Sequence, residues 1–247
     1  MNCTGKTIII TGGSSGYGYG MAKKLRARGA RVLITGRNEQ KLRQAAAEIG
    51  VEAVHADVTS SADWDRVFVA AGIVDEDVDA IAGGDVLINN AGGGLKVAPL
   101  TDYSDEEIIQ SIAINLTGAL LGCRRAAAVM IPQKSGLIIN ISSVCAHYGW
   151  PGFAVYTAAK AGLDKMSRAL YTELRPHNVR VTVVTPSWGD TNFNVAAGLP
   201  PPTADLAAQM MSSDQMGDLI VQLCEFHDHL VFPEIMVQPV VQEINPF

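Results

Sequence analysis

The sequence predicts an α/β domain built on a doubly wound parallel sheet of about seven strands, with helices on both faces. Short apolar runs, of the kind that strands buried on both faces require, alternate with stretches of helical period. The connections between them are short, which favours right-handed crossovers and a parallel strand order. The runs with strand character are Thr7–Thr11, Arg31–Thr35, Glu52–His55, Asp85–Asn89, Gly136–Ser142 and Val179–Thr185, with Glu234–Val241 as a candidate last strand at an edge.

Helical stretches lie between these runs and complete the alternation. The first two end at a glycine, which is a common stop signal for a helix. No Pro- or Ser-rich linker and no internal repeat divides the chain, so we expect residues 1–247 to form a single domain. The acid-rich segment Gly72–Gly84 has no clear period and is interpreted as a helix end followed by a loop. The predicted helices are Met21–Arg28, Glu39–Ile49, Asp63–Ala71, Asp105–Met130 and Tyr156–Leu174.

Composition and charge exclude several classes of protein. The 247 residues are 48% hydrophobic and 18% charged, with a net charge of -6, which is typical of a folded domain with one large core and not of a disordered chain. No basic patch offsets the acidic balance, so neither nucleic acid nor a membrane surface is an expected partner. The four cysteines are far apart and the chain shows no cluster of metal ligands, so no metal is expected. Since neither a signal peptide nor a membrane-length apolar run is evident, we expect a cytoplasmic protein.

The first turn between strand and helix is rich in glycine and reads TGGSSGYG over residues 11–18. Gly12, Gly16 and Gly18 allow a tight turn and a close approach of the backbone to a pyrophosphate. The helix that follows offers free N–H groups and the positive end of its dipole to that phosphate. Because the turn follows a strand and opens a helix, it predicts a dinucleotide site, with a plain flexible turn as the alternative.

The end of the second strand indicates which dinucleotide binds. Dinucleotide folds usually place an acid about 20 residues after the glycine turn, where it holds the ribose 2′-hydroxyl. This chain has Arg37 in that region and no carboxylate, and a guanidinium suits a 2′-phosphate. We therefore predict NADP(H) in preference to NAD(H). The alternative is that Arg37 is a solvated residue at the start of a helix.

Tyr156 and Lys160 are four residues apart on a predicted helix and so lie on one face. The unperturbed pKa of a phenol is about 10, which is too high for a base at neutral pH. A nearby ammonium is expected to lower the pKa of Tyr156 and to make the phenol an acid and base for alcohol–ketone interconversion.

With these motifs in place, the sequence resembles the short-chain dehydrogenase/reductase family in its single-domain, Rossmann-like form. The resemblance extends over about residues 5–191, and the matching pieces occur in the family's order. They are TGGSSGYG, Asp57-Val58, Asn89-Asn90-Ala91-Gly92, Asn115, Ile141-Ser142-Ser143, and Tyr156 with Lys160.

The resemblance implies four catalytic residues. Tyr156 is similar to the family's catalytic acid/base, and Ser143 to the residue that hydrogen-bonds the substrate oxygen, with Ser142 as the alternative. Lys160 resembles the residue that lowers the tyrosine pKa and holds the nicotinamide ribose. Asn115 resembles the residue that supports a water-linked proton path to the lysine, the alternative being a polar residue at a helix kink.

The resemblance also implies how the cofactor lies along the ends of the strands. Asp57 and Val58 are similar to adenine contacts, and Asn90, Ala91 and Gly92 line the ribose side. Two departures from the family pattern are Tyr17, where an aliphatic residue is more common, and Ser187, which replaces a glycine. The expected cofactor contacts are Gly12, Ser14, Ser15, Gly16, Tyr17, Gly18, Arg37, Asp57, Val58, Asn90, Ala91, Gly92, Tyr156, Lys160, Pro186, Gly189 and Thr191.

A substrate pocket is expected beyond the carboxyl ends of the strands, next to the nicotinamide. Residues 192–216 are predicted to be a lid, because their Ala, Gly and Pro content suits a mobile cover. His147 is interpreted as a loop histidine that faces water. The loops at this edge supply the aromatic side chains of Trp150, Phe153, Trp188 and Phe193, which predict a partly apolar pocket.

These features together predict an oxidoreductase that interconverts a secondary alcohol and a ketone with NADP(H). The family resemblance implies hydride transfer at the pro-S face of nicotinamide C4. Two alternatives remain open, an NAD-dependent polyol or sugar-alcohol dehydrogenase and a dinucleotide-sensing protein without turnover. The expected partners are a small alcohol or ketone and, on family analogy, further copies of the chain in a dimer or tetramer.

Overall fold

The structure is a computed structural model that describes residues 2–73, 83–93 and 96–243, so most of the predicted loop Gly72–Gly84 lies outside it. The described residues form a seven-stranded sheet in the order β3-β2-β1-β4-β5-β6-β7, and every pairing is parallel. The predicted fold class is therefore confirmed. The strands are β1 (Thr7–Thr11), β2 (Arg31–Gly36), β3 (Glu52–His55), β4 (Gly84–Asn89), β5 (Gly136–Ile141), β6 (Val179–Pro186) and β7 (Glu234–Val237).

Helices cover both faces of the sheet. The core therefore consists of two apolar clusters, with the sheet between them. Ile8 and Ile10 of β1 lie in one cluster, whereas Ile9 between them lies in the other. This alternation is what a strand buried on both faces requires. The α-helices are α1 (Gly16–Ala27), α2 (Glu39–Ile49), α3 (Ser61–Ala70), α4 (Asp105–Ile112), α5 (Gly118–Gln133), α6 (Ala154–Leu174), α7 (Phe193–Ala196), α8 (Ala204–Ala207) and α9 (Ser213–Glu225).

The predicted single helix over Asp105–Met130 is interrupted. A π-helical segment, Ala113–Thr117, separates α4 from α5. Such segments are rare and frequently occur at functional sites. The whole helical stretch is long and apolar enough to cross a membrane by length and composition, although no apolar run of membrane length was expected from the sequence. Within its most apolar window, however, 56% of the residues are buried inside the protein, as in a core helix of a soluble domain.

Two elements near the C-terminal end also differ from the prediction. The last strand, β7, ends at Val237 and not at Val241, because Pro239 cannot donate a hydrogen bond to a sheet. Helix α9 was not predicted, since the Ala- and Pro-rich segment before it dominates the local pattern. Its start carries a capping box in which Ser212 and Gln215 satisfy each other's backbone groups.

Candidate active site

A cavity of about 1200 Å³ opens at the carboxyl ends of the strands. It lies where the strand order reverses between β1 and β4, which is the expected ligand position in an open α/β sheet. Nearly all the predicted cofactor and catalytic residues line it, and the exceptions are Gly18 and Asn115. One edge of the fold therefore brings together motifs that lie up to 180 residues apart.

The glycine turn is shaped by close backbone contacts. Gly12 has φ +68°, which is the left-handed region that favours glycine. Gly18 does not line the cavity, but a Cβ on it would lie 2.2 Å from the Gly12 carbonyl oxygen. The absence of a side chain at Gly18 thus lets α1 pack directly on the turn. Gly18 was predicted to contact the cofactor, and this contact stays a prediction, since Gly18 lies behind the residues that line the cavity.

The start of α1 is open toward the cavity. Ser15 is the residue before the first turn of α1, and its side chain makes no capping hydrogen bond there. The first N–H groups of a helix have no partner within the helix and carry the positive end of its dipole. With Ser14 and Ser15 both lining the cavity, these groups form a site suited to the phosphates of a dinucleotide.

Hydrogen bonds to the side-chain hydroxyl and to the carbonyl of Thr11 connect the loop after β4 to β1. The Asn90 and Ala91 amides donate to Thr11 Oγ1 at 3.0 and 2.9 Å. The Asn90 side chain donates to the Thr11 carbonyl at 2.9 Å. These bonds fix the Asn90–Gly92 wall of the cavity relative to the glycine turn.

Asn115 lies in the π-helical segment and is buried. Its Nδ2 donates to the Gly93 and Ser111 carbonyls at 3.0 Å each, and its Oδ1 accepts from the Gly93 amide at 2.9 Å. The side chain therefore joins the interrupted helix to the loop after β4, as the polar-kink alternative predicted. The water-linked proton path that the resemblance implied remains a prediction.

Ser143, Tyr156 and Lys160 meet on one wall of the cavity. Tyr156 and Lys160 lie on successive turns of α6, and both are buried. The Lys160 ammonium donates to the Ile141 carbonyl at 2.9 Å and lies 5.7 Å from the centroid of the Tyr156 ring. Ser143 follows β5, and its Oγ accepts from the Cys145 amide at 3.2 Å. The end of β5 therefore positions both the serine and the lysine.

The charge states of this group correct one prediction. Burial raises the pKa of the Tyr156 phenol above its ordinary value, and the neighbouring Ser143 hydroxyl acts in the opposite direction. Burial also lowers the pKa of Lys160 to about 8, although the nearby Asp164 opposes this. The expectation that the nearby Lys160 ammonium lowers the pKa of Tyr156 is therefore not met, because burial raises that pKa. The ammonium donates to a backbone carbonyl, and desolvation of the phenol dominates.

The opposite end of the cavity contains Arg37 and Asp57. Arg37 follows β2 directly, and among the described residues no carboxylate lies within 4.0 Å of its guanidinium. The Asp57 carboxylate is engaged locally, since its Oδ1 accepts from the amide and hydroxyl of Thr59 at 2.9 and 2.8 Å. Arg37 thus offers an unpaired cation to a ligand, as the NADP(H) prediction requires.

Apolar side chains make up much of the cavity lining. The Phe193 ring, in the predicted lid, lies 5.5 Å from the Tyr156 ring. Among the described residues that line the cavity, only Arg37 and Lys160 are cations. The apolar residues that line the cavity include Trp150, Pro151, Phe153, Trp188, Phe193, Leu199, Pro200, Pro201, Pro202, Leu206 and Met210.

Tyr17, one of the two departures from the family pattern, packs closely against Gly189. A Cβ on Gly189 would lie 1.9 Å from Tyr17 Oη, so the large side chain at position 17 requires glycine at position 189. The C-terminal tail also reaches the cavity, where Gln242 Oε1 accepts from the Trp188 amide at 3.1 Å. Sequence reasoning missed Gln242, because the tail has no motif and its contact depends on the tertiary fold.

His147 is exposed, as predicted, but its imidazole also contacts two carboxylates. Its Nε2 lies 2.8 Å from Glu234 Oε1 and 3.2 Å from Asp164 Oδ2. The three residues come from the loop after Ser143, the start of β7 and the middle of α6. Their separation in sequence left no pattern that could have predicted the contact.

The geometry defines a nucleotide-dependent oxidoreductase site, with a phosphate-binding helix start, a buried tyrosine–lysine pair and a cavity that joins them. Comparison with known proteins assigns the family. Residues 6–199 match the short chain dehydrogenase family, and the chain belongs to it.

Three known proteins are similar to the chain over most of its length. A 3beta-hydroxysteroid dehydrogenase of Eggerthella lenta is 36% identical over 198 residues, which cover 77% of this chain and 73% of that protein. A metagenomic short-chain oxidoreductase solved with NADP is 32% identical with a TM-score of 0.78, covering 98% of this chain and all of the other. A 3-ketoacyl-(acyl-carrier-protein) reductase of Brucella melitensis, solved with NADH, is 27% identical with a TM-score of 0.84, covering 96% and 98%. The chain is thus an oxidoreductase with a site for a nicotinamide dinucleotide.

Proposed function

We propose that the protein interconverts a neutral, largely apolar secondary alcohol and its ketone with NADP(H). The observation that carries the proposal is the cavity itself, which joins an unpaired Arg37 at one end to a buried Tyr156 at the other. Much of the cavity lining is apolar, and Arg37 and Lys160 are the only cations among the described residues that line it. A substrate carboxylate would find no further charged partner there, which disfavours hydroxy acids.

The residues present fit a bound NADP(H). The open start of α1 would hold its pyrophosphate, Arg37 its 2′-phosphate, and Lys160 the hydroxyls of its nicotinamide ribose. Gly92 lies close to that ribose position, since a Cβ on it would be 3.4 Å from Lys160 Nζ. When bound, the cofactor supplies a hydride, or accepts one, at nicotinamide C4.

The protein's own residues handle the proton and the substrate oxygen. In the reductive direction, the Ser143 and Tyr156 hydroxyls donate hydrogen bonds to the ketone oxygen. Tyr156 then gives its proton to that oxygen as the carbon receives hydride, and its high pKa keeps the phenol protonated at neutral pH. In the oxidative direction the same oxygen returns its proton to the tyrosine. Lys160 stabilises the phenolate with its positive charge.

Arg37→Ala is expected to change cofactor preference. A hydrogen bond to a charged group contributes about 1.5–3 kcal/mol, so kcat/KM with NADPH should fall about 10- to 100-fold. The kcat/KM of the variant with NADH should stay within about twofold of the wild-type value, because NADH lacks the 2′-phosphate. Arg43→Ala is the matched control, since Arg43 is exposed on α2 and pairs with Glu39 outside the cavity. A wild-type preference for NADH would contradict the NADP(H) assignment. An equal loss of kcat/KM with both cofactors in Arg37→Ala would contradict it as well.

A substrate panel separates the proposal from its alternatives. We expect bulky apolar cyclic ketones, steroid ketones among them, to be reduced with higher kcat/KM than open-chain polyol-derived ketoses or short 3-keto acids. Burial of each added methylene in an apolar pocket contributes about 1–3 kcal/mol, so the preference should grow with apolar area. A preference for polyols with NAD would support the sugar-alcohol alternative. NADPH binding without turnover on any substrate would support a sensing role.

A further inference from the structure

Three side chains outside the cavity converge on one point of the surface. The ligand atoms of His147, Asp164 and Glu234 lie within 4.8 Å of one another. None of the three lines the cavity described above. They join three elements, because His147 follows Ser143 in the loop after β5, Asp164 is on α6 and Glu234 begins β7.

The two carboxylates compete for one imidazole nitrogen. His147 Nε2 is 2.8 Å from Glu234 Oε1 and 3.2 Å from Asp164 Oδ2. An imidazole nitrogen carries at most one proton, so it cannot donate well to both carboxylates. Metal–ligand distances of about 2.0–2.2 Å in a tetrahedral arrangement put ligand atoms roughly 3.3–3.5 Å apart. The 3.2 Å separation is close to that value, whereas the 2.8 Å separation is that of a hydrogen bond and would widen by about 0.5 Å around an ion.

Asp164 is a buried carboxylate that shares its contact to His147 with Glu234. Its side chain is only 6% exposed. Neither of its carboxylate oxygens makes a well-formed hydrogen bond with any group that the structure describes. Beyond the shared His147 and the nearby Ser142 hydroxyl, this buried carboxylate has little compensation, and proteins usually compensate such a charge with a counter-charge or a metal ion.

Arg168 holds Glu234 in place and leaves one of its oxygens available. Its guanidinium pairs with Glu234 Oε2, while Oε1 faces His147. Ligating carboxylates are commonly oriented in this way by a hydrogen bond to their other oxygen. Since Arg168 balances one carboxylate only, the cluster retains an excess of negative charge.

We propose that His147, Asp164 and Glu234 bind a divalent transition-metal ion, for which Zn²⁺ is the best match. One imidazole nitrogen and two carboxylate oxygens suit Zn²⁺, and water can complete the coordination. Solvent reaches the site, because the side chains of His147 and Glu234 are 28% and 27% exposed. The ion lies apart from the substrate cavity and links the edge strand β7 to the catalytic helix and to the loop of Ser143.

Calorimetric titration of ZnCl₂ into the full-length, chelator-treated protein tests the site without any need for turnover. We expect one Zn²⁺ per chain, together with a Tm that rises with zinc concentration because the ion binds the folded state. His147→Gln and Glu234→Gln should each weaken zinc binding at least tenfold. Arg168→Gln, which removes only the orienting contact, should weaken it about tenfold. Mg²⁺ should bind far more weakly, since imidazole is a poor ligand for it.

His229→Gln is the matched control, because His229 is exposed in a loop outside the cluster. It should leave zinc affinity and the zinc-dependent Tm shift unchanged. Absence of zinc binding in the wild type would overturn the proposal, as would unchanged affinity in His147→Gln with a normal Tm. A loss of zinc binding in His229→Gln equal to that in His147→Gln would place the ion elsewhere. None of these outcomes depends on whether the protein reduces ketones.

Discussion

Tyr156→Phe is expected to lower kcat about 10²- to 10⁴-fold, which is the usual contribution of a positioned general acid. The substitution removes only the hydroxyl that gives its proton to the substrate oxygen. The phenyl ring keeps its packing against Phe193, 5.5 Å away, so the cavity wall should be preserved. The Kd for NADPH, measured by fluorescence, should stay within about twofold, because the phenol is not expected to hold the phosphates or the adenine.

Tyr171→Phe is the matched control for this variant. Tyr171 lies on the same helix, α6, but does not line the cavity. Removal of the Tyr171 hydroxyl should leave kcat unchanged. If Tyr156→Phe kept more than about a tenth of the wild-type kcat with unchanged NADPH binding, Tyr156 could not be the acid that protonates the substrate.

Lys160→Met is expected to impair both chemistry and cofactor binding, which distinguishes it from Tyr156→Phe. The ammonium is buried between Ile141 and Gly92, where it can reach the ribose and the phenol. Loss of a charged hydrogen-bond donor should raise the KM for NADPH about 10- to 100-fold. The kcat should also fall, by about 10²-fold, because the phenolate formed after proton transfer loses its counter-charge.

The pH dependence gives an additional check on this role. Burial lowers the pKa of Lys160 to about 8, so the free enzyme loses this positive charge as the pH rises through that value. The profile of kcat/KM reports ionisations of the free enzyme. In the wild type, kcat/KM for NADPH should therefore decline above about pH 8, whereas in Lys160→Met it should show no such step. Lys165→Met, an exposed position on the same helix, should keep the wild-type profile.

Much of the cofactor site could be predicted because its determinants are local. The turn around Gly12 follows from one strand, a glycine spacing and a helix start, all of which lie within a dozen residues. Tyr156 and Lys160 likewise depend on one helical turn. Helix α9 was missed although Ser212 and Gln215 carry the capping-box signal that could have revealed it.

What could not be predicted depends on tertiary environment. The direction of the Tyr156 pKa shift follows from burial, which no spacing of residues reports. The contact of Gln242 with the cavity and the cluster of His147 with Glu234 join segments more than 50 residues apart. Asn115, in the π-helical segment, makes hydrogen bonds to Gly93, which is again distant in sequence.

Hydride transfer to a ketone is measured most directly with NADPH that carries deuterium at the pro-S position of nicotinamide C4. The wild-type protein is incubated with this cofactor and an apolar cyclic ketone, and the alcohol is analysed by mass spectrometry. We expect the deuterium on the carbinol carbon of the product, and no product with Tyr156→Phe over the same time. Alcohol without deuterium, or no alcohol from any ketone in the panel, would contradict the proposed reaction.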